Sequence, residues 1–134
     1  MKKSTCSVEK LSLEERFLIV EDDHLKGAYN GKFYNFPIDE VCYVLSAGDR
    51  SLCFLKSGEK VLAGHKTSLL MKEFANHYFA NYNKGGFVNL IHVSIILPLE
   101  KGNKHHKLLL KNGVELEISI SRYKPLKKIV NAFC

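Results

Sequence analysis

The stretch FPIDEVCYVLSAGDRSLCFLKSG, residues 36–58, consists of short apolar runs separated by residues that favour turns. Residues 39–46 and 51–56 are rich in β-branched, aromatic and other apolar side chains, which predicts two strands. Ala47-Gly48-Asp49 predicts a turn between them, and Ser57-Gly58 predicts a second turn. Because the second run is apolar at nearly every position, we expect these strands to be covered on both faces for part of their length.

The β pattern continues on both sides of this stretch. Asp22, Asp23 and Gly27 predict turns, and Asn30-Gly31 and Asn112-Gly113 are typical of β-hairpins. Short apolar or β-branched runs predict further strands at residues 16–21, 32–36, 59–63, 87–88, 94–100, 107–110 and 114–120. The chain is therefore predicted to be mainly β.

Two segments have helical spacing instead. The first predicted helix is capped by Thr67 and ended by residues 83–86, and its inward positions are Leu69, Leu70, Phe74, His77, Tyr78 and Asn81. The second starts at Ser121 or Arg122 and has apolar residues at i, i+3 and i+4, namely Leu126, Ile129 and Val130. The expected architecture is a mainly β domain with one inserted helix and a short C-terminal helix.

Composition predicts a single globular domain. The chain has 134 residues, of which 46% are hydrophobic and 25% charged, and this is enough for one packed core. No apolar run reaches the roughly 20 residues that span a bilayer, and no apolar segment of a secretion signal follows the first residues. We therefore expect a cytoplasmic protein with no membrane partner. The spacing of the four cysteines favours buried reduced thiols over a disulfide or metal framework; they are Cys6, Cys42, Cys53 and Cys134.

All of the net positive charge lies in the last 51 residues. The preceding 83 residues carry 11 basic and 11 acidic side chains, whereas the last 51 carry nine basic and three acidic ones, which gives +6. The nine are Lys84, Lys101, Lys104, Lys107, Lys111, Arg122, Lys124, Lys127 and Lys128. A concentrated basic surface attracts phosphate backbones and adds sequence-independent affinity for nucleic acid. The alternative is a solvated lysine face that only keeps the protein soluble.

The sequence contains no standard signature of an enzyme. It has no G-x-x-x-x-G-K, no G-x-G-x-x-G after a strand, no H-E-x-x-H and no G-x-S-x-G. His105 and His106 are adjacent, so on a strand they would point to opposite faces and could not easily share a metal. His92 and Ser94 have no orienting carboxylate nearby in sequence. We expect no catalytic residue, metal or cofactor, with a small hydrolase that uses Cys or His nucleophiles as a remote alternative.

An ordered set of segments points to one family. The segments are residues 36–48, 52–54, 56–58, 69–74, 87–88, 92–99, 108–118 and 119–126. In this order they resemble the LytTR-type bacterial DNA-binding domain. The sequence HVSIILPL at residues 92–99 is similar to that family's H-R-S-Y-I-V-N-L signature, residues 108–118 to its strand, N-G turn and strand, and residues 119–126 to its closing V-S-R-R-Y-x-x-x-L.

The resemblance covers about residues 28–132 and sets the expected domain organisation. Residues 28–134 would form the LytTR-like domain, and residues 1–27 would be an N-terminal extension with an extra strand and a short helix at residues 11–16. The implied fold has about ten strands in three small antiparallel sheets. Residues 1–27 are too short for a receiver or a membrane segment, so we expect control by abundance, by a separate regulatory protein or by a homodimer on repeated half-sites.

The resemblance implies a transcriptional regulator that binds double-stranded promoter DNA through loops in successive major grooves. It implies a first contact at residues 47–51, a second around Leu97 and Pro98 and a third at Ser121 and Arg122. An arginine can bond guanine O6 and N7 in a bidentate fork or bind a phosphate. For Arg50 and for Arg122, the alternative is a surface ion pair. The expected DNA-binding residues are Asp49, Arg50, Ser51, His92, Ser94, Pro98, Lys101, Lys104, His105, Ser121, Arg122 and Lys124.

The sequence departs from the family pattern at two reading positions. Val93 stands where the signature has Arg, and Pro98 stands where it has the base-reading Asn, so both changes remove hydrogen-bond donors. His92 and Ser94 are kept, and the resemblance implies that this stretch helps to shape and support the binding loop. For His92, the alternative is a buried, hydrogen-bonded core residue. We therefore expect low or atypical sequence specificity. A second hypothesis is a protein-interaction module of this fold that titrates or assists another transcription regulator.

Overall fold

The N-terminal sheet contains three strands joined by two tight turns. The structure is a computed structural model that describes residues 17–133. Its first strands, β1 (Ile19–Glu21), β2 (His24–Tyr29) and β3 (Lys32–Pro37), form an antiparallel sheet in the order β1-β2-β3. Asn30 and Gly31 have φ angles of 51° and 75°, the left-handed geometry that Asn-Gly favours between paired strands. The predicted hairpin is confirmed.

The central sheet contains five antiparallel strands in the order β6-β5-β4-β8-β7. They are β4 (Val41–Ala47), β5 (Arg50–Leu55), β6 (Lys60–Ala63), β7 (Phe79–Asn83) and β8 (Gly86–Asn89). β4 is hydrogen-bonded to β5 on one edge and to β8 on the other. Leu18 forms a bridge with Ala63, which joins the N-terminal sheet to β6. The strands predicted at residues 39–46, 51–56 and 59–63 are confirmed, with ends shifted by one or two residues.

The C-terminal sheet and the last helix complete the fold. β9 (Val93–Ile96), β10 (Lys107–Leu110) and β11 (Glu115–Glu117) form a sheet in the order β11-β10-β9. The predicted hairpin at Asn112-Gly113 joins β10 to β11, with Gly113 at a φ of 91°. The last helix, α2 (Ile120–Phe133), buries Leu126 and Val130. No helix within residues 17–133 is long and apolar enough to cross a membrane.

A separate hydrophobic core packs on each face of the central sheet. One core includes residues of the N-terminal sheet and of the inserted helix, and the other includes residues of the C-terminal sheet and α2. Neighbouring residues belong to opposite cores: Val41 and Phe87 to the first, Cys42 and Val88 to the second. This arrangement confirms two-sided burial for β4 and explains why β4 and β8 are apolar at successive positions. In β5, Cys53 and Leu55 are buried in the first core, but the residues that alternate with them are only half-buried, so two-sided burial of this strand is not confirmed.

The inserted helix is much shorter than predicted. α1 (Thr67–Glu73) ends well before Asn81, so the predicted helix that reached residues 83–86 is wrong. In β7, Ala80 and Tyr82 are buried while the other three residues are half-buried, which is the alternation of a strand. Helical spacing and strand alternation coincide over this short segment, and pairing with β8 decides in favour of the strand. The Asn-Lys-Gly-Gly sequence is therefore a hairpin turn and not a helix end.

Gly27 lies inside β2, so the prediction of a turn at this residue is wrong. Its φ is 140°, and a Cβ atom here would lie 2.7 Å from the carbonyl oxygen of Phe17. The close approach of these two chain segments is the physical reason for a glycine. The helix predicted at residues 11–16 lies outside the described residues, and the boundary predicted between residues 27 and 28 falls inside β2.

Replacing Phe87 with alanine should lower the free energy of unfolding by about 3–5 kcal/mol. The ring is fully buried and meets Phe74 and Phe79 edge to face, with centroid distances of 5.8 and 5.4 Å. Urea unfolding followed by circular dichroism measures the change. Phe33→Ala is the matched control because Phe33 is 56% exposed, and equal losses in the two variants would contradict the core assignment.

Candidate nucleic-acid interface

Four chain connections meet at one end of the molecule. They are the β4–β5 turn, the β7–β8 turn, the β9–β10 connection and the start of α2. Three backbone hydrogen bonds join them: Ser46 N–H to Gly85 O (2.7 Å), Ser119 N–H to Tyr82 O (2.9 Å) and Ile118 N–H to His106 O (2.9 Å). We call this surface the loop end, and it consists of residues 47–50, 83–86, 97–106 and 119–124.

The β4–β5 turn exposes Asp49 and holds Arg50 in place. The Arg50 guanidinium lies over the Phe17 ring, 4.1 Å from its centroid, which is a cation–π contact. The Nε atom of Arg50 is buried and has no hydrogen-bond partner within residues 17–133. Ser51 is fully buried, and its hydroxyl donates to the carbonyl oxygen of His65 at 2.8 Å. The Ser51 side chain thus supports β5 and offers no exposed atom to a ligand.

The β9–β10 connection is an exposed loop closed at its base. Leu97 N–H donates to the carbonyl oxygen of Lys107 at 2.7 Å, and the His106 ring donates from Nδ1 to the carbonyl oxygen of Leu97 at 3.1 Å. The predicted contact residues that this loop exposes are Pro98, Lys101 and Lys104. His105 is half-buried, and its Nε2 lies 3.9 Å from the Glu117 carboxylate.

The start of α2 is fixed against this loop by an aromatic stack. Tyr123 stacks on His106 with a centroid distance of 3.8 Å and an interplanar angle of 10°. The predicted residues Ser121, Arg122 and Lys124 are exposed around Tyr123. A cavity of about 470 Å³ separates the loop from the helix, and four of the predicted residues line it: Lys104, His105, Ser121 and Lys124.

Two predicted residues lie on or before β9. His92 precedes β9 at the opposite end of the strand, and its Nε2 donates to the carbonyl oxygen of Asp39 at 2.6 Å. Its ring is half-buried and holds the 3-10 turn at Ile38–Glu40, so it does not face the loop end. Ser94 is exposed on β9 and lines, together with Pro98, a groove of about 470 Å³ between β9 and α2.

Lys84 belongs to this surface and was missed as a contact residue by sequence reasoning. It is exposed in the β7–β8 turn, between the β4–β5 turn and the start of α2. Its position could not be inferred because the segment before it was read as a helix. The signal that could have found it is the two-residue turn Lys84-Gly85 between strand-like runs, since Gly85 has a φ of 78°.

The loop end carries most of the net charge of the chain. Its four segments contain six basic residues and two acidic ones, or +4. The basic residues are Arg50, Lys84, Lys101, Lys104, Arg122 and Lys124, and the acidic ones are Asp49 and Glu100. The carboxylate of Glu115 in the adjacent sheet lies 3.7 Å from Lys107. The excess of basic residues at the loop end creates a local positive field of the kind that attracts polyanions.

The two described cysteines are buried and reduced, as predicted for them. Cys42 and Cys53 are free thiols, and burial raises the pKa of Cys53 to about 12 and also raises the pKa of Cys42. Because the thiolate is the reactive form, neither is an activated nucleophile. Cys6 and Cys134 lie outside the described residues. Within residues 17–133, no group of three or more His, Cys, Asp or Glu residues could hold a metal ion.

The chain is similar to known proteins over most of its length. The family model described as the LytTr DNA-binding domain matches residues 31–131. This chain belongs to the LytTR family. The solved LytTr DNA-binding domain of a Bacillus cereus protein, described as a methyl-accepting/DNA response regulator, is 18% identical and has a TM-score of 0.64 over 82% of this chain and 98% of that chain. No curated protein sequence is significantly similar to this chain.

The family match and the solved domain confirm the predicted fold of this LytTR domain. It is mainly β, with three small antiparallel sheets, one inserted helix and a C-terminal helix. Residues 17–133 contain 11 strands where about ten were expected. At 18% identity the solved domain is informative about fold alone, so the roles of individual side chains in this LytTR domain depend on its own geometry.

Replacing Tyr123 with alanine should loosen the junction between α2 and the β9–β10 connection. Aromatic stacking is worth about 0.5–1.5 kcal/mol beyond buried area, so the Ile118 amide, which donates to His106, should exchange several-fold faster with deuterium. Native-state hydrogen exchange by NMR measures this rate. Lys128→Ala on the exposed side of α2 is the control, and an unchanged Ile118 rate in the Tyr123 variant would contradict the role of the stack.

Proposed function

We propose that this LytTR domain is a transcriptional regulator that binds double-stranded promoter DNA through the loop end. The observation that carries the proposal is the convergence of four connections with six basic and two acidic residues at one end of the fold. Phosphate contacts from such a surface give affinity and orientation on the duplex. Membership of a family described as a DNA-binding domain supports DNA as the polyanion.

Arg122 and Arg50 are the proposed base-reading residues, and they differ in how they are held. Arg122 is exposed in the first turn of α2, where its side chain is free to bond guanine or a phosphate. The cation–π contact of Arg50 with Phe17 restricts its rotamers before DNA binds. A restricted arginine loses less conformational entropy on binding, so we expect Arg50 to contribute through pre-organisation.

The remaining basic residues are proposed to grip the phosphate backbone. Lys84, Lys101, Lys104 and Lys124 are exposed on three of the four segments of the loop end, which suits contacts to phosphates on both sides of a groove. A lysine acts on a phosphate as a mobile point charge and carries little sequence information. These residues would position the domain while the arginines read bases.

Sequence specificity is proposed to be low because two reading positions lack donors. Pro98 is exposed at the loop end but has neither an N–H nor a polar side chain. Val93 is 3% exposed and belongs to the second core, so it reads nothing. A second copy of the chain on repeated half-sites, or a separate regulatory protein, would supply the selectivity that one domain lacks.

A second candidate function is a module that titrates or assists another transcription regulator. The observation that favours it is an exposed apolar patch next to the C-terminal part of α2. Tyr78 is 60% exposed and contacts Phe133 with a centroid distance of 5.1 Å, and Ile129 is 42% exposed on the same helix. Exposed aromatic clusters of this kind are typical of protein–protein contacts. The loop end would then hold DNA only weakly.

DNA affinity should fall linearly with salt on logarithmic axes, with a slope of about −0.9 for each phosphate neutralised. Arg122→Ala should weaken binding by about 1–3 kcal/mol, and Lys84→Ala should reduce the slope by about one unit. Fluorescence anisotropy with a labelled duplex, at several salt concentrations, measures both effects.

Lys72→Ala is the matched control, because Lys72 is an exposed lysine of α1 outside the loop end. It should leave affinity and slope unchanged. Equal affinity at low and high salt would rule out the proposed interface. Selection of bound fragments from a random DNA pool tests the regulator, which a repeated enriched motif supports. Failure to shift a duplex in a gel, combined with copurification of another transcription regulator, supports the interaction module.

A further inference from the structure

A polar cavity lies at the end of the molecule opposite the loop end. The end of β5, the 3-10 turn at Leu90–His92 and the β10–β11 turn meet there, and Lys111 N–H donates to the carbonyl oxygen of His92 at 2.8 Å. The cavity has a volume of about 380 Å³ and is lined by Cys42, Lys56, Ile91, His92, Lys111 and Asn112. We call it the basal cavity. None of its six residues belongs to the loop end.

Two of its polar side chains are oriented by hydrogen bonds that leave other atoms for a ligand. The Oδ1 atom of Asn112 accepts from the N–H of Val114 at 3.1 Å, which fixes the amide group. Its Nδ2 then lies 4.0 Å from the Cys42 sulfur, a weak contact that leaves its donor capacity nearly unused. The Nε2 atom of His92 donates to the carbonyl oxygen of Asp39, since a carbonyl oxygen can only accept, and this hydrogen bond fixes the orientation of the ring.

The two lysines of the basal cavity have no acidic partner within residues 17–133, a property that they share with most of the described lysines. Lys26, Lys32 and Lys107 pair with glutamates at 3.2, 3.4 and 3.7 Å. Within residues 17–133, neither Lys56 nor Lys111 lies within 4.0 Å of a carboxylate. Burial raises the pKa of the Cys42 thiol, and the positive charge of Lys56, which lines the same cavity, partly offsets this rise.

Two acidic residues contact residues of the cavity through their backbone carbonyl groups. Asp39 lies on the neighbouring 3-10 turn, and its carboxylate is 2.9 Å from the Nδ1 of His77. Glu40 is exposed on the same turn and contributes its carbonyl oxygen to the N–H of Lys56 at 2.8 Å. Neither residue lines the cavity. Two lysines and a primary amide thus line one concave, solvent-open space.

We propose that the basal cavity binds a phosphate group, either as free phosphate or as a small phosphomonoester. A phosphate carries about −1.5 to −2 charges near pH 7 and three strong acceptor oxygens. Lys56, Lys111 and the Asn112 amide supply a matching set of donors from three separate elements. The volume lies in the range of small-molecule sites and admits a phosphate with a small organic substituent.

This site is independent of the proposed DNA interface. Gly48 follows Cys42 by six positions along β4 and its turn, which at roughly 3.3 Å per residue places the cavity about 20 Å from the loop end. A ligand in the basal cavity therefore leaves the loop end open. Failure of DNA binding and failure of phosphate binding can be observed separately in the same protein.

Titration with inorganic phosphate, followed in ¹⁵N–¹H NMR spectra at constant ionic strength, tests the proposal. We expect saturable shifts confined to the amides of His92, Lys111, Asn112 and Gly113. The double variant Lys56→Gln/Lys111→Gln should bind phosphate at least about tenfold more weakly, because each change removes a charge-assisted hydrogen bond. Both lysines are exposed, so the fold should be kept, and the spectrum itself reports this.

The double variant Lys60→Gln/Lys72→Gln is the matched control, since it removes the same charge from exposed lysines elsewhere. It should bind phosphate as the parent chain does. Titration with glycerol phosphate then separates the sources: tighter binding than phosphate identifies a phosphomonoester site, and equal binding identifies a site for the phosphate group alone. Shifts that do not saturate, or that persist in Lys56→Gln/Lys111→Gln, would overturn the proposal.

Discussion

β4 is hydrogen-bonded on both edges and covered by apolar side chains on both faces, and the rest of the molecule is arranged around it. Its edge with β5 forms the first turn of the loop end, and its edge with β8 carries the β7–β8 turn. Val44 packs in one core and Cys42 in the other, so each flanking sheet docks against this strand. Because both faces and both edges are occupied, β4 has one register. The β4–β5 and β7–β8 turns at its end are therefore held at a fixed distance from each other.

The sequence was sufficient to predict the parts of the fold that depend on local chemistry. Asn30-Gly31 and Asn112-Gly113 specify hairpins because their backbones tolerate left-handed angles, and the two-sided apolar runs specify buried strands. β7 was predicted incorrectly because its type depends on pairing with β8, which no local pattern contains. Because of the same error, Lys84 in the turn after β7 was not predicted as a contact residue. The contact of Arg50 with Phe17 joins residues 33 positions apart, and the burial of Ser51 depends on His65, so neither could be inferred from neighbouring residues.

The two ends of the molecule illustrate different uses of positive charge. At the loop end, lysines and arginines on four connections form a broad field suited to a polymer of phosphates. At the basal cavity, two unpaired lysines and one oriented amide form a small site suited to a single phosphate group. Phosphate binding and base recognition are also distinct at the loop end itself. In the proposed function, the field supplies affinity for a duplex, whereas Pro98 and the buried Val93 limit how much sequence the domain reads.

Hydrogen–deuterium exchange of the domain with and without a duplex that it binds tests the central claim most directly. The claim is that residues 47–50, 83–86, 97–106 and 119–124 act together as one DNA-binding surface. The account predicts that all four segments become protected in the complex, including the turn that contains Lys84, while residues 111–113 at the basal cavity stay unchanged. Protection of residues 111–113 or of the N-terminal sheet, with no change at the loop end, would contradict it.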